Sequence, residues 1–232
     1  FLIYFQAYTN TFGRFRELEY FYKEALKEKD VVGIVVGTRP DCLPKRVLQK
    51  FSEIARENYL SVELGVKTFD DAQLRFLSRG HDSASSLKAI RILKTLPDVN
   101  LCVHLMFGLP DETDAQIRKT AEILSEQKID GVKLHNLHVL RNTPLEKLYR
   151  ESHFKPVDLE EYSRKVALFL ENLSPKIAVH RLAAVASRWD ELVAPQWTRE
   201  KMKTTQFIDN FLAAKETWQG RCFEVYGLKF GL

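Results

Sequence analysis

The 232-residue sequence predicts an α/β protein built on a parallel sheet. Three observations carry that prediction. Strand-like and helix-like segments alternate about six times along the chain. Several strand segments are short, unbroken apolar runs such as Val31-Val32-Gly33-Ile34-Val35-Val36, the mark of strands covered on both faces. Their C-terminal ends release glycine, proline and charge, as in Gly37-Thr38-Arg39-Pro40-Asp41 and Gly108-Leu109-Pro110-Asp111, at the end of a parallel sheet where ligands bind. An open, curved three-quarter barrel and a doubly wound sheet both fit, and the pattern alone does not choose between them.

Each element has its own signal. Residues 1–8 are aromatic and β-branched and read as a strand ending at Thr9-Asn10-Thr11. A helix follows over 15–29, with Phe15, Leu18, Phe21, Tyr22 and Leu26 on one face. Residues 31–36 are the next strand. Pro44 opens a helix running to about residue 58, since proline's missing N–H would go unbonded there anyway. A strand over 60–66 precedes a short helix over 70–77, capped by Asp70 or Asp71. A helix over 83–96 leads to a strand over 101–107, closed by Gly108 and Pro110. Asp111 and Glu112 complement the dipole of a helix over 113–127. Residues 131–140 read as one strand, with Val132, Leu134 and Leu137 set against Lys133, His135 and His138. Helices over 143–151 and 159–173, a strand over 177–182 and a helix over 201–215 complete the series. The chain reads as one domain, 1–232, with a C-terminal helical extension from about residue 185.

Composition narrows the class. Apolar residues make up 45% of the chain, enough for a core and against bulk disorder. The net charge of +4 is a mild basic excess, compatible with a polyanionic partner. No apolar run reaches the roughly 18 residues of a membrane span. Cys42, Cys102 and Cys222 are odd in number and widely spaced, which argues for a reducing, cytoplasmic compartment and against a local metal-ligand pair. No GxGxxG or GxxxxGK[ST] occurs, so dinucleotide and P-loop readings lose support. The chain opens without Met and inside a strand pattern, so a fragment is expected.

Several residue types point to chemistry. Arg39 and Asp41 follow a buried strand and read equally as an anion or ribose site or as a structural pair in a turn. Glu63 and Lys67, at i and i+4 of a strand, share a face, with Gly65 between them leaving room. Gly80 suits a left-handed helix stop, and Arg79 beside it suits bidentate binding of a carboxylate. His104, alone on an apolar strand, reads first as a satisfied core residue. His135 and His138 face opposite sides of a straight strand, which disfavours a two-histidine metal site, while Lys133, His180 and Arg181 offer a basic lining. Lys67 or Lys133 could also serve as the Schiff-base amine of a barrel lyase.

The wording of Tyr4-Phe5-Gln6-Ala7-Tyr8-Thr9-Asn10-Thr11, Gly65-Val66-Lys67-Thr68, Arg79-Gly80-His81, Gly108-Leu109-Pro110, Lys133-Leu134-His135 and Thr217-Trp218-Gln219-Gly220 resembles the radical S-adenosylmethionine (SAM) superfamily. The resemblance is to the branch of the Elongator catalytic subunit, and within it to the bacterial Fe–S oxidoreductase (YhcC-like) family. It implies a partial, three-quarter TIM-type barrel of about six parallel βα units with the first unit missing. It also implies a [4Fe–4S] cluster on a CxxxCxxC segment, SAM as the source of a 5′-deoxyadenosyl radical, and an electron donor such as flavodoxin or ferredoxin. The SAM-contacting set it implies comprises Thr9 and Asn10 at the amino group, Arg39, Glu63, Lys67 where the family usually has Gln, and Arg79 at the carboxylate. His104 stands where some members carry a ribose-binding Asp, Phe107 and Gly108 stand where backbone meets adenine, and His138 completes the set. Gly37 stands where related enzymes use a Glu to hold SAM, and the cysteine triplet is not in the sequence, so an inactive barrel is expected of this chain. The branch further implies a tRNA substrate. A degenerate barrel that only binds RNA or protein is the alternative.

Overall fold

A computed structural model describes residues 1–6, 8–186 and 188–223. The elements in order are β1 (Leu2–Phe5), α1 (Phe15–Lys27), β2 (Gly33–Thr38), α2 (Lys45–Ala55), β3 (Tyr59–Lys67), α3 (Asp71–Phe76), α4 (Ser83–Lys94), β4 (Val99–Phe107) and α5 (Asp114–Glu126). They continue with β5 (Gly131–Asn136), β6 (Val139–Leu140), α6 (Pro144–Arg150), α7 (Leu159–Asn172), β7 (Ala178–Arg181), β8 (Leu192–Ala194) and α8 (Lys201–Ala214), with short 3-10 turns on either side of β8. The main sheet has the order β1-β2-β3-β4-β5-β7, so sequence neighbours lie side by side. β1–β2, β2–β3 and β3–β4 pair in parallel.

Two expected boundaries change. The strand expected over 131–140 is two strands: Leu137 and His138 leave the ladder, and β6 pairs antiparallel with β8, a strand the sequence reading missed. The first strand is shorter than 1–8, closing at Phe5. Of the extension expected from residue 185, the described part holds β8 and α8, and residues 224–232 lie outside the described residues. No described helix is long and apolar enough to cross a membrane.

The chain divides into two compact units, residues 1–105 with 127–132, and residues 106–126 with 133 onward. In the first, strand alternation sorts the side chains. Ile34, Val36, Leu60, Val62, Leu64, Leu101, Val103 and Leu105 are fully buried on one face of β2–β4. Burying each such side chain is worth roughly 1.5–3 kcal/mol. The opposite face carries Ser61, Glu63, Asn100, Cys102 and His104, and Ser61 donates to Asn100 Oδ1 at 3.1 Å. Asp70 and Asp82 cap α3 and α4 by accepting from the amides of Gln73 and Ser85. In the second unit α5 packs on α7. Phe107 meets Phe169 edge-on with ring centroids 5.3 Å apart, and Tyr162 lies against Trp197.

Candidate functional site

The polar face of the first unit centres on Glu63, only 6% exposed. Tyr4 donates its hydroxyl to Glu63 Oε2 at 2.5 Å, and His104 Nε2 lies 2.6 Å from the same oxygen. An ionised carboxylate only accepts, so the His104 proton that faces it is on Nε2. Cys102, the register partner of Glu63, brings a third donor atom: those of Glu63, Cys102 and His104 lie within 4.8 Å of one another. Two ligands on one tetrahedral ion with bonds of roughly 2.0–2.2 Å stand over 3 Å apart. The 2.6 Å Glu63–His104 approach is therefore a hydrogen bond rather than the geometry of shared metal ligation.

Above this layer β3 does not stay regular. Leu64 pairs with Val103, but Lys67, not Val66, pairs with Leu105, and Lys67 has φ of 75°. One residue too many is fitted there, as in a β-bulge. Glu63 and Lys67 therefore do not share a face through simple period-two alternation, as the sequence reading expected. Lys67 returns to that side by another route. A Cβ placed on Gly65 would lie 3.9 Å from Lys67 Cε, 3.6 Å from Arg79 Nη2 and 3.4 Å from the Thr38 carbonyl oxygen. Gly65 thus leaves a small cradle edged by two cations.

Arg79 donates to the Gly65 carbonyl from Nη2 at 3.2 Å and to His81 Nε2 from Nε at 3.4 Å. A guanidinium only donates, so His81 Nε2 is an acceptor and that ring is neutral. Burial, and then the Arg79 and Arg39 charges, hold the His81 pKa below its usual value. Burial and the nearby Arg39 charge likewise lower that of Arg79. Gly80 is not the left-handed helix stop expected. Ser78 takes that conformation, with φ of 52°, while a Cβ on Gly80 would lie 2.7 Å from Arg39 Nη2. Glycine lets the mobile end of the Arg39 side chain lie close against the backbone there. Arg39 grips Asp41 through both oxygens. Burial works against the Asp41 charge, yet the bond from Arg39 keeps its carboxyl below the usual range.

Asn10 Nδ2 donates to the carbonyls of Phe5 and Gly37, clasping the ends of β1 and β2. Thr9 sits in the turn before it, its carbonyl accepting from Phe12 N. Thr11 donates to the Cys42 carbonyl. Beside these loops a cavity of about 850 Å³ is bordered by Thr11, Arg14, Asp41, Cys42 and Lys88. Burial pushes the Cys42 pKa up, so this thiol stays protonated.

In the second unit the Phe107 ring lies in the core against Phe169. Gly108, with φ of 81°, donates its N–H to Glu112 Oε2 at 3.0 Å. Glu112 in turn pairs with Lys165 at 3.3 Å, both side chains 5% exposed. Burial raises the Glu112 pKa, opposed by the Gly108 amide and Lys165. This pair fixes the Gly108-Leu109-Pro110 turn; the sequence reading saw Glu112 only as a helix-dipole acid. The Ala184 amide donates to Asn136 Oδ1, which orients the Asn136 NH₂ toward His138 Nε2 at 2.7 Å. Burial lowers the His138 pKa, so His138 is a neutral strap in this segment.

Five sequence-predicted residues of the first unit, Asn10, Glu63, Lys67, Arg79 and His104, form a continuous row, while Thr9 and Arg39 are bonded within their own loops. Asn10 binds Gly37, Gly37 pairs with Glu63, Glu63 binds His104, and Lys67 and Arg79 edge Gly65 two residues on. Tyr4 and His81 are members of this row that the sequence reading did not place there. Phe107, Gly108 and His138 belong to the second unit.

Comparison with known proteins shows the family. A radical SAM superfamily profile matches residues 3–124, and a radical SAM C-terminal domain profile matches residues 129–214. Protein YhcC of Escherichia coli (strain K12) is 33% identical over 213 residues, which cover 91% of this chain and 68% of that protein. The chain belongs to the radical SAM superfamily. A tRNA uridine(34) acetyltransferase of Methanocaldococcus jannaschii is 28% identical over 152 residues, 64% of this chain and 27% of that protein. The archaeal Elp3 of Methanocaldococcus infernus, with residues 1–46 deleted, superposes with a TM-score of 0.77 at 19% identity, over 94% of this chain and 55% of that chain. The likeness places the fold in the partial TIM-type barrel class. The superfamily's cofactors fit this chain unequally. Cys42, Cys102 and Cys222 are not brought together among the described residues and do not form a three-thiolate cluster site. Beside the cradle at Gly65, by contrast, the Arg79 guanidinium offers donors of the kind that bind a carboxylate.

Proposed function

We propose that this chain is the SAM-binding barrel of a radical SAM enzyme acting on RNA. The observation that supports it best is the Gly65 cradle, with Arg79 and Lys67 on its edge. Arg79, already oriented by His81 and the Gly65 carbonyl, offers its remaining donors to the methionyl carboxylate, and Lys67 adds a point charge. His104, oriented by Glu63, stands on the same polar face for the ribose. Asn10 and Thr9 shape the loop by the amino group. In this superfamily bound SAM supplies an adenosyl radical. The cysteines of this chain do not form the cluster which that chemistry needs, so the residues described here contribute binding and orientation. A tRNA substrate is supported by the likeness to a tRNA uridine(34) acetyltransferase and by the net charge of +4. Three free cysteines suit a reducing cytoplasm.

Calorimetric titration with SAM and with S-adenosylhomocysteine tests the binding site. The protein is expected to bind both, and Arg79→Gln is expected to weaken binding at least ~10-fold, the worth of a charge-assisted hydrogen bond. No binding of either ligand, or unchanged binding by the variant, overturns the reading.

A further inference from the structure

We propose that Arg181, steered by His135, forms a phosphate-binding site in the second unit that belongs to the substrate rather than to SAM. Arg181 is the last residue of β7, and His135 lies one residue before the end of β5. Val132, Leu134 and Asn136 are buried on one face of β5, so Lys133 and His135, both half-buried, occupy the other. Arg181 reaches that face: its Nε donates to the Leu134 carbonyl at 3.4 Å and its Nη2 to His135 Nε2.

The charge balance makes this a site. Arg181 has no carboxylate within ion-pair distance among the described residues. Its two partners are a backbone carbonyl and an imidazole nitrogen, which absorb donors but not charge. Of the five N–H groups of a guanidinium, these two contacts use two. The rest form a fork, and a fork is what binds phosphate bidentately. Because Arg181 only donates, His135 accepts on Nε2 and its proton is on Nδ1, which keeps the ring neutral beside the cation. That fork suits a phosphate, the anion which the RNA substrate proposed above presents, and the choice of phosphate rests on that reading. A partly buried cation without an acid costs free energy, and a bound oxyanion removes that cost.

The ligand chemistry has two possible sources, a terminal phosphate or an RNA backbone phosphodiester. Titrations of the whole protein with inorganic phosphate and with a short single-stranded RNA bearing a 5′-hydroxyl separate them. Binding of the first alone names a monoester, and of the RNA alone the backbone. Arg181→Gln is expected to weaken whichever binds at least ~10-fold. It should lower the salt-dependence slope of RNA binding by about 1 and leave SAM affinity unchanged. Loss of SAM binding alone would count against the proposed function and not against this site. Binding of neither ligand by the wild-type protein, or equal binding by Arg181→Gln, overturns the proposal. Should Arg181→Gln fail to fold, nitrogen chemical shifts of His135 decide: they move on phosphate addition if the site exists, and their constancy refutes it.

Discussion

Arg39 and Arg181 both stand at the C-terminal ends of strands, one in each unit, and the fold treats them differently. Arg39 carries its own counter-ion two residues away and closes a bidentate pair over Gly80. Arg181 is held by a carbonyl and a neutral imidazole, which fix its direction but leave its charge. An arginine neutralised inside its own loop is architecture, and one oriented but not neutralised is built for a ligand. Two carboxylates of low exposure, Glu112 and Glu63, also have different neighbours. Glu112 meets an ammonium and a backbone amide, an arrangement that holds a turn. Glu63 meets a phenol and an imidazole, groups that carry protons and can pass orientation on to a ligand.

The strongest way to break this comparison is Lys165→Met. It strands Glu112 where side chains are 5% exposed, and stability measured by urea unfolding is expected to fall by about 3–5 kcal/mol. The double variant with Glu112→Gln should recover much of that loss, and a single-variant loss below ~1 kcal/mol would mean that the pair does not hold the turn. Glu63→Gln keeps the shape but removes the charge that Tyr4 and His104 serve. A loss of about 1–3 kcal/mol is expected, with weaker SAM binding as the sign that its role extends beyond packing.

The histidines sharpen the contrast through pH. Burial lowers the pKa values of His81 in the first unit and His138 in the second below the usual 6.5. The unfolded chain then takes up the protons first. Their contribution is complete above about pH 6.5 and is lost as pH falls through that value toward the folded pKa values. The melting temperature should drop between neutral pH and about pH 5, and His138→Asn should flatten the slope. Arg39→Ala carries the smallest expected effect. The pair is part-exposed, so the stability change should stay within about 1 kcal/mol, and phosphate affinity should not move. If Arg39→Ala and Arg181→Gln cost the same phosphate affinity, the distinction between the two arginines is wrong.

Much of the fold was legible in the sequence because its signals are local. The runs at 31–36 and 101–107, the cap at Asp70, and the stop at Gly108 each act within a turn or two of chain. Errors came where non-local pairing overrides local pattern. Residues 131–140 alternate smoothly, yet the ladder ends at Asn136 because β6 finds a different partner in β8. Arg79-Gly80-His81 has the wording of a helix stop, but a guanidinium from another loop claims the space beside Gly80. The candidate site was legible as a set of residue types, not as a set of bonds.

By itself the sequence determined the parallel α/β plan, the apolar face of each strand, and which chemically able residues lie near strand ends, since these follow from period and composition. Only the tertiary structure decided that Tyr4 and His104, 59 and 41 residues from Glu63, converge on one oxygen, that an added residue turns Lys67 back toward Gly65, and that Arg181 has no acid among the described residues to answer it. Hydrogen-bond partners across strands are set by register and bulges, and register is a property of whole strands packed together rather than of any one of them.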